Sequence, residues 1–169
     1  NSETIIFGPD RNLAEYVERM TGRRIIKVPP SGFCVVHNSF TEEMIKEARG
    51  LYPRAKILIH PEAPFNVIKL ADFVGSTNQM IEYAAREPSS EFIVVTEIGM
   101  LNTLKAKVPN KSFYPLTREP YSRCPFMAAI TLEKVRRSLR DLVHRVELPK
   151  STAEAIKEAF ERTRKILES

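Results

Sequence analysis

The chain has 169 residues, of which 43% are hydrophobic, and this is enough apolar material for one ordinary globular core or two small ones. No stretch approaches the roughly 20 apolar residues that span a bilayer, and no signal-peptide pattern opens the chain, so the sequence predicts a soluble, cytoplasmic protein without a membrane partner. The formal net charge is +5, but the densest basic clusters are pairs such as Arg23-Arg24 and Arg136-Arg137, which argues against a nucleic-acid partner and suits small anionic substrates.

In chain order, short β-branched runs alternate with segments of helical periodicity, which is typical of an α/β fold with a mostly parallel sheet. The predicted strands are Thr4–Phe7, Arg24–Val28, Cys34–Val36, Lys56–Ile59, Asp72–Val74, Phe92–Val95, Ser112–Tyr114 and His144–Leu148. Thr41, Pro64 and Thr131 are helix start signals, and Thr131 opens a predicted helix over Leu132–Leu142. A capping box, Ser151-x-x-Glu154, predicts the start of the last helix.

The two ends of the chain carry further signals. The first residue is Asn1 rather than Met, and a predicted strand follows at once, so we expect the chain to begin inside a fold, with upstream sequence removed or carried by another polypeptide. In the last helix a largely apolar stripe predicts that this helix packs against other parts of the protein; it consists of Ile156, Phe160, Thr163 and Leu167.

An internal repeat is visible in the order of these features. In both copies a β-branched strand, a polar turn, a helix, a second strand and a proline-containing loop lead to a cysteine, which is Cys34 in the first copy and Cys124 in the second. Seven residues after each cysteine stands a threonine, Thr41 or Thr131, and a glutamate follows two residues later. The cysteines are 90 residues apart, as are the threonines, so we interpret the two segments as copies of one supersecondary unit.

The repeat favours one chemical interpretation of the cysteines. Two distant cysteines in an intracellular chain argue against a disulfide framework and leave metal ligand, nucleophile and buried core residue open. Equivalent positions of a rotationally repeated fold converge on its axis, so Cys34 and Cys124 are expected to face one another. A third cysteine from a missing upstream copy would complete three thiolates around a four-iron cluster and leave one iron open for substrate, and we favour this interpretation.

Polar residues follow several predicted strands, at the edge where open α/β sheets bind their ligands. They are Asp10 after the first strand, His37 after Cys34–Val36, His60 and Glu62 after Lys56–Ile59, Ser76 and Thr77 after Asp72–Val74, and Thr96 and Glu97 after Phe92–Val95. His37 and His60 suit anion binding or proton transfer near neutral pH, whereas we interpret His144 as structural. Glu62 is a candidate general base if partial burial raises its pKa, and Glu97 is a weaker candidate.

Two local patterns refine these candidates. Gly75-Ser76-Thr77 leads directly into a predicted helix, Asn78–Ala85, whose free N–H groups and positive end would bind a carboxylate or phosphate together with the two hydroxyls. Ordinary N-capping is the alternative interpretation. The two-residue spacing of His60 and Glu62 would place both side chains on one face of an extended segment.

Several of these segments resemble, in order, motifs of the quinolinate synthase family, and together they cover nearly the whole chain. They are Phe7-Gly8-Pro9-Asp10-Arg11-Asn12-Leu13-Ala14, Gly32-Phe33-Cys34-Val35-Val36-His37 with Phe40-Thr41, Ile59-His60-Pro61-Glu62, Ala71-Asp72-Phe73-Val74-Gly75-Ser76-Thr77, and Cys124-Pro125-Phe126-Met127 with Ile130-Thr131-Leu132-Glu133-Lys134-Val135. The last four resemble the segment of the second cluster cysteine, the active-site HPE segment, the substrate-anion loop and the segment of the third cluster cysteine. The chain thus resembles the carboxyl-terminal half of a member.

The resemblance implies a transferase that condenses iminoaspartate with dihydroxyacetone phosphate and dehydrates the product to quinolinate, for NAD biosynthesis. It implies three similar αβα domains with short, mostly parallel sheets in pseudo-threefold arrangement around a 4Fe-4S iron–sulfur cluster, which acts as a Lewis acid. Cys34 and Cys124 are then cluster ligands, His37 belongs to the proton-transfer group, and Glu62 acts beside the open iron. The implied holders of substrate anions are His60, Ser76 and Thr77.

On this basis the chain divides into three parts. Residues 1–34 would end the second αβα repeat, 35–123 would form the third, and 124–169 would carry the last cluster cysteine and closing helices, with the first repeat absent. Many members have cysteine after HPE where this chain has Ala63. The family's first cluster cysteine, an amino-terminal histidine and two site tyrosines have no counterpart, so we expect the isolated chain to be inactive without the upstream half. An L-aspartate oxidase is the expected source of iminoaspartate.

Two other interpretations remain open. Cys34, His37, His60 and Cys124 could form a mononuclear zinc or iron site, in which the ligand histidines would be lost to proton transfer. Alternatively, the chain could be a noncatalytic partner half whose motifs only complete the site of another chain.

Overall fold

The computed structural model describes residues 3–117 and 121–168. These residues fall into two compact units, Asn1–Ala128 and Ala129–Ser169. Residues 118–120, in the loop predicted to lead to Cys124, lie outside the described residues. Among the helices of the described ranges, none combines the length and the apolar character that a membrane span requires.

Helices and short strands alternate through the first unit, as predicted. Its elements are β1 (Thr4–Phe7), α1 (Arg11–Thr21), β2 (Arg24–Lys27), a 3-10 turn (His37–Ser39), α2 (Glu42–Leu51), β3 (Lys56–Ile59), α3 (Phe65–Ile68), β4 (Phe73–Val74), α4 (Thr77–Arg86), β5 (Glu91–Val95), α5 (Met100–Lys107), β6 (Ser112–Pro115) and α6 (Pro125–Ala128). The second unit contains α7 (Leu132–Asp141) and α8 (Lys150–Leu167). Thr41 and Thr131 are the N-caps of α2 and α7, which confirms both predicted helix starts.

Four strands form a parallel sheet in the order β4-β3-β5-β6. In the central pair, Ile57 lies opposite Ile93 and Ile59 lies opposite Val95. Successive residues of these strands point to opposite faces, and both faces are buried, which explains why the strands are continuous apolar runs.

The two faces of the sheet belong to two apolar cores. Ile57, Ile59, Ile93 and Val95 pack with α2 and α3 on one face. Leu58, Phe92 and Val94 pack with α4 and α5 on the other. This helix–sheet–helix layering confirms the predicted α/β class and its three-layer αβα architecture.

All four strands are parallel, but the chain adds the strand after β3 on one side of the central pair and the strand after β5 on the other side. The β3–α3–β4 crossover packs its helix on the first face, and the β5–α5–β6 crossover packs its helix on the second. The loops that leave the carboxyl ends of β3 and β5 therefore diverge, and a crevice opens between them.

Strands β1 and β2 form a separate two-stranded parallel sheet that is covered by α1. Asp10 caps α1 by accepting the N–H of Leu13 at 2.8 Å. The loops after the two strands touch, and the N–H of Arg11 donates to the carbonyl of Gly32 at 2.8 Å. A side chain at Gly32 would place its Cβ 2.1 Å from the carbonyl oxygen of Pro9, so only glycine permits this approach.

Two predicted strands are wrong. Residues Cys34–Val36 form a turn, because the N–H of Asn38 donates to the carbonyl of Cys34 at 2.9 Å and Val36 has helical dihedral angles. His37 therefore lies on the following 3-10 turn rather than at a strand end. The segment His144–Leu148 is not a strand either: His144 has a positive φ of 63°, and the described part of the second unit offers helices but no strand with which to pair.

The second unit also departs from the predicted capping and packing of the last helix. Helix α8 begins at Lys150 after Pro149, so Ser151 lies inside the helix and the predicted capping box is wrong. The N–H of Ala153 instead donates to the carbonyl of Pro149 at 3.0 Å. Within this unit the apolar stripe of α8 is exposed, with Phe160 at 72% and Leu167 at 82% of full exposure, so the structure does not show the packing predicted for it.

Candidate active site

A cavity of about 520 Å³ lies at the carboxyl ends of β3 and β5, in the crevice that the topology creates. Its polar wall contains His37, His60, Glu62, Thr77, Thr96 and Glu97, and its apolar wall contains Ile81, Met100 and Met127. Most of the candidates predicted from the sequence therefore share one cavity. Its volume lies in the range of small-molecule binding sites.

His37 is buried, and both of its ring nitrogens have partners within the protein. Nδ1 lies 2.8 Å from Oε2 of Glu62, and Nε2 lies 2.8 Å from the hydroxyl of Thr96. A carboxylate only accepts, so Nδ1 carries a hydrogen, and in the neutral ring Nε2 accepts the hydroxyl proton of Thr96. Glu62 thus sets the tautomer of His37, and the hydroxyl of Thr96 satisfies the other ring nitrogen.

His60 stacks on His37, with the ring centroids 4.3 Å apart and the planes 8° from parallel. Its Nδ1 accepts the backbone N–H of Glu62 at 3.3 Å, which leaves the hydrogen on Nε2. Burial, followed by the charge of His37, lowers the pKa of His60 to about 4. His60 is therefore neutral at pH 7 and suited to donate one hydrogen bond to a substrate.

Glu62 occupies a turn rather than the extended segment that its spacing suggested, because the N–H of Ala63 donates to the carbonyl of His60 at 3.0 Å. Its Oε2 nevertheless lies 3.9 Å from Nδ1 of His60. The hydrogen bond from His37 lowers the pKa of Glu62 and outweighs partial burial, which acts in the opposite direction. The condition that partial burial raises the pKa of Glu62 is therefore not met, and the carboxylate is ionised at neutral pH.

Asn12 joins the segments that carry His37 and Glu62. Its buried side-chain amide donates to the carbonyl of Glu62 at 2.9 Å and to the side chain of Asn38 at 3.0 Å. Sequence reasoning did not assign Asn12 a role, although it lies in a motif that the family resemblance used. A polar residue at the start of an amphipathic helix is usually solvated, so its burial became visible only in the fold.

Cys34 and Cys124 are free, partly buried cysteines that pack against the same apolar core on the α2–α3 face of the sheet. The pKa of the Cys34 thiol is raised mainly by burial, and the negative charges of Glu62 and Cys124 add to this effect. Ligand atoms of Cys34, His37 and Glu62 lie within 4.8 Å of one another and could hold a metal ion. This group includes Glu62, which the four-residue zinc or iron alternative did not.

A second cavity of about 340 Å³ adjoins Cys34 and is lined by Pro9, Phe33 and Glu62 among others. Glu62 lines both cavities. This residue therefore borders both the cavity beside Cys34 and the larger cavity that contains the histidines.

The two hydroxyls predicted to bind an anion have different surroundings. Thr77 lines the larger cavity. Ser76 is the N-cap of α4, where its hydroxyl accepts the N–H of Gln79 at 3.4 Å and its own N–H donates to the Gln79 side chain at 2.8 Å. The capping alternative therefore holds for Ser76, while its hydroxyl hydrogen remains able to donate to a ligand.

Comparison with known proteins decides the family. The model of the quinolinate synthetase A protein family matches residues 1–165. The chain belongs to this family. It is 55% identical over 170 residues to the quinolinate synthase of Sulfurisphaera tokodaii and 52% identical over 171 residues to that of Saccharolobus solfataricus, covering 99% of this chain and 55% of each relative. The quinolinate synthase of Thermococcus kodakarensis is 44% identical over 162 residues, which are 96% of this chain and 52% of that protein.

This quinolinate synthetase A family chain spans about half the length of the curated relatives that it matches. Membership confirms the resemblance seen in its motifs. The roles of the individual site residues stay predictions, but the fold brings His37, His60, Glu62 and Thr77 to one cavity.

Proposed function

We propose that this chain carries the carboxyl-terminal part of a quinolinate synthase, which condenses iminoaspartate with dihydroxyacetone phosphate and releases quinolinate, phosphate and water in NAD biosynthesis. The observation that carries the proposal is that the family's motif residues meet in one cavity at the switch point of the sheet. The net charge of +5 favours the approach of two anionic substrates. An L-aspartate oxidase is the proposed supplier of iminoaspartate, and the cytoplasm the proposed location.

The donor set suits the 4Fe-4S cluster that the family implies. Cys34 and Cys124 are free, partly buried and packed against the same core, and thiolates are the usual ligands of such clusters. Two thiolates are too few for the cluster, so we propose that a third comes from outside these residues. When bound, the cluster supplies an iron with an open coordination position that acts as a Lewis acid.

The side chains of the cavity have complementary tasks in the proposed reaction. Oε2 of Glu62 is held by His37, and the carboxylate accepts the proton that a condensing substrate loses. His37 keeps its own hydrogen on Nδ1 and donates it to Oε2, which holds the carboxylate in place, while Thr96 fixes the opposite side of the ring. Neutral His60 donates from Nε2 to a substrate carboxylate or phosphate. Thr77 and Ser76 donate their hydroxyl hydrogens to the same kind of group at the amino end of α4.

The competing proposal is a mononuclear zinc or iron site, which the proximity of Cys34, His37 and Glu62 favours. In that arrangement a ring nitrogen of His37 would have to leave either Glu62 or Thr96, since both nitrogens are engaged. Acid-labile sulfide distinguishes the two proposals, because only the iron–sulfur cluster contains it.

The test of the proposed function is Glu62→Gln in the complete enzyme, prepared without oxygen. Glutamine preserves the size of the side chain but cannot accept the proton, so quinolinate formation should fall by about a hundredfold or more, the usual scale for loss of a general base. Iron content and binding of a dicarboxylate analogue should stay near those of the parent in the same sample. Turnover near the parent rate would exclude Glu62 as the base and make Glu97 the next candidate.

A further inference from the structure

We propose that Asp10 and Glu97 are paired positioning residues, one in each copy of the repeat, that fix the backbone of Cys34 and of Cys124 for ligation. The inference rests on the proposed function, since it concerns the cysteines of the same site. It starts from a structural equivalence between the copies that the 90-residue spacing of the cysteines did not reveal.

Each carboxylate follows the first strand of its copy and bridges two backbone N–H groups. Asp10 accepts from Leu13 with Oδ1 and from Cys34 with Oδ2, both at 2.8 Å. Glu97 accepts from Gly99 with Oε2 at 2.7 Å and from Cys124 with Oε1 at 3.4 Å. In both copies one oxygen binds the start of the next helix and the other binds the cysteine.

Two further hydrogen bonds recur around each cysteine. The residue after the carboxylate donates its N–H to the carbonyl two positions before the cysteine, at 2.8 Å in both copies: Arg11 to Gly32, and Ile98 to Ser122. The cysteine carbonyl accepts the N–H of the residue four positions later at 2.9 Å, which comes from Asn38 or Ala128. The shared feature is therefore a complete loop arrangement rather than one contact.

A glycine leaves room for these contacts in each copy. Gly32 lets the loop before Cys34 pass close to the carbonyl of Pro9. At Gly99 a Cβ would lie 2.7 Å from Oε2 of Glu97, so the carboxylate occupies the space that a side chain would fill. Asp10 is moreover only 6% exposed, so water competes little for its hydrogen bonds.

A carboxylate that holds the cysteine N–H fixes the direction in which the thiol leaves the backbone. Asp10 and Glu97 differ in length and in their distance along the chain from the cysteine, 24 and 27 residues, yet they reach the same backbone group. This difference explains why aligning the two copies at their cysteines does not align the carboxylates.

The test measures amide hydrogen exchange at Cys34 and Cys124 in the chain, without any metal. Asp10→Ser retains a residue that caps helices as well as aspartate does. Its side chain is shorter and has only one oxygen, so it should keep the bond to the N–H of Leu13 and lose the bond to the N–H of Cys34. Exchange at Cys34 should accelerate about tenfold or more, as expected for loss of a hydrogen bond to a charged group. Glu97→Ala should accelerate exchange at Cys124 by a smaller factor, because that bond is longer.

Matched controls separate cysteine positioning from loss of a cap or of a charge. Thr41→Ala removes the N-cap of α2, and Glu133→Ala removes an exposed carboxylate of α7; neither side chain bonds to a cysteine, so exchange at both cysteines should stay at the parent rate. Unchanged exchange at Cys34 in Asp10→Ser, with the amides of β3 and β5 still protected, would overturn the proposal.

A second readout connects the backbone effect to ligation. In the complete enzyme, Asp10→Ser should lower the iron and sulfide bound after reconstitution, whereas Thr41→Ala should not. Faster exchange with full iron content would also overturn the proposal, because the carboxylate would then hold the loop without affecting ligation. The exchange result does not depend on quinolinate synthesis, so failure of the proposed function would be seen separately.

Discussion

At the scale of single residues, the candidate site is organised around His37, which has no ring nitrogen without a protein partner. Glu62 takes one nitrogen and Thr96 the other, so in the proposed reaction His37 acts through the carboxylate that it holds. His60 complements it with a lowered pKa and a hydrogen on Nε2. We therefore propose that His37 holds the base and that His60 donates a hydrogen bond to a substrate anion.

Replacing Thr96 by valine should disturb this arrangement while keeping the shape of the side chain. Without the hydroxyl, Nε2 of His37 has no donor in the neutral ring, and an unsatisfied buried acceptor costs about 1–3 kcal/mol. We expect the free energy of unfolding in urea to fall by this amount. We expect nitrogen NMR of the ring to show that the Nδ1–H form persists, since the Glu62 carboxylate can only accept.

Thr96→Ser is the matched control, since it keeps the hydroxyl and loses one methyl group, worth about 0.8 kcal/mol. Its ring should retain the Nδ1–H tautomer. An unchanged free energy of unfolding in the valine variant would show that the Thr96 hydroxyl does not satisfy Nε2 of His37.

Some of this site was predictable from single residues and some was not. His60, Glu62 and Thr77 were found because polar residues after buried strands of an α/β sheet face the ligand edge. His37 was predicted as a site residue because it follows Cys34–Val36, which was predicted to be a strand. The structure has a turn there, closed by the hydrogen bond from Asn38 to Cys34, and this turn positions His37. Asn12 was missed because its partners lie 26 and 50 residues away in the chain.

At the scale of elements, strands were predicted well where a β-branched run is buried on both faces. Lys56–Ile59 was predicted with the bounds that the structure shows, and Phe92–Val95 is one residue short at its start. Cys34–Val36 has the composition of a strand, but local hydrogen bonds satisfy its backbone in a turn. Pro149 similarly moved the start of α8 away from the predicted capping box.

The start of α4 allows capping and anion binding to be separated by two substitutions. Ser76→Ala removes the N-cap hydroxyl and should lower the free energy of unfolding by about 1 kcal/mol. Thr77→Ala should leave stability within about 0.5 kcal/mol, since an exposed first-turn residue makes no cap. It should weaken binding of a dicarboxylate analogue about tenfold or more, as expected for a lost hydrogen bond to a charge.

Calorimetric titration of the analogue and urea unfolding on the same samples give both quantities. Asn102→Ala, on an exposed position of α5, is a suitable control for substitution near the site. Unchanged analogue affinity in both the Ser76 and the Thr77 variants would leave capping as the only role of this segment.

At the scale of the whole molecule, the αβα unit supplies a cavity and two cysteines, while the curated relatives are about twice as long as this chain. We therefore predict that residues 1–169 alone form no quinolinate and that turnover appears when the remaining half is added, in the same polypeptide or as a partner. Product should be measured by chromatography for the two halves apart and mixed. Turnover by the chain alone would show that its site is already complete.

The domain boundaries predicted from the sequence, at residues 34 and 123, remain predictions. The two compact units of the structure meet after Ala128, and this division reflects where the chain is compact rather than where one copy of the repeat ends. The repeat itself appears in the hydrogen bonds around Cys34 and Cys124, which sequence comparison of the copies could not show because the two carboxylates stand at different distances from their cysteines.

The most direct test of the central claim, that Cys34 and Cys124 ligate one iron–sulfur cluster, is iron and acid-labile sulfide analysis of the complete enzyme purified without oxygen. The parent should be brown and contain both elements in equal amounts, with little zinc. Cys34→Ser and Cys124→Ser should each lose most of the iron and sulfide, since either change removes a thiolate ligand. Full iron and sulfide content in both variants, or zinc without sulfide in the parent, would contradict the account.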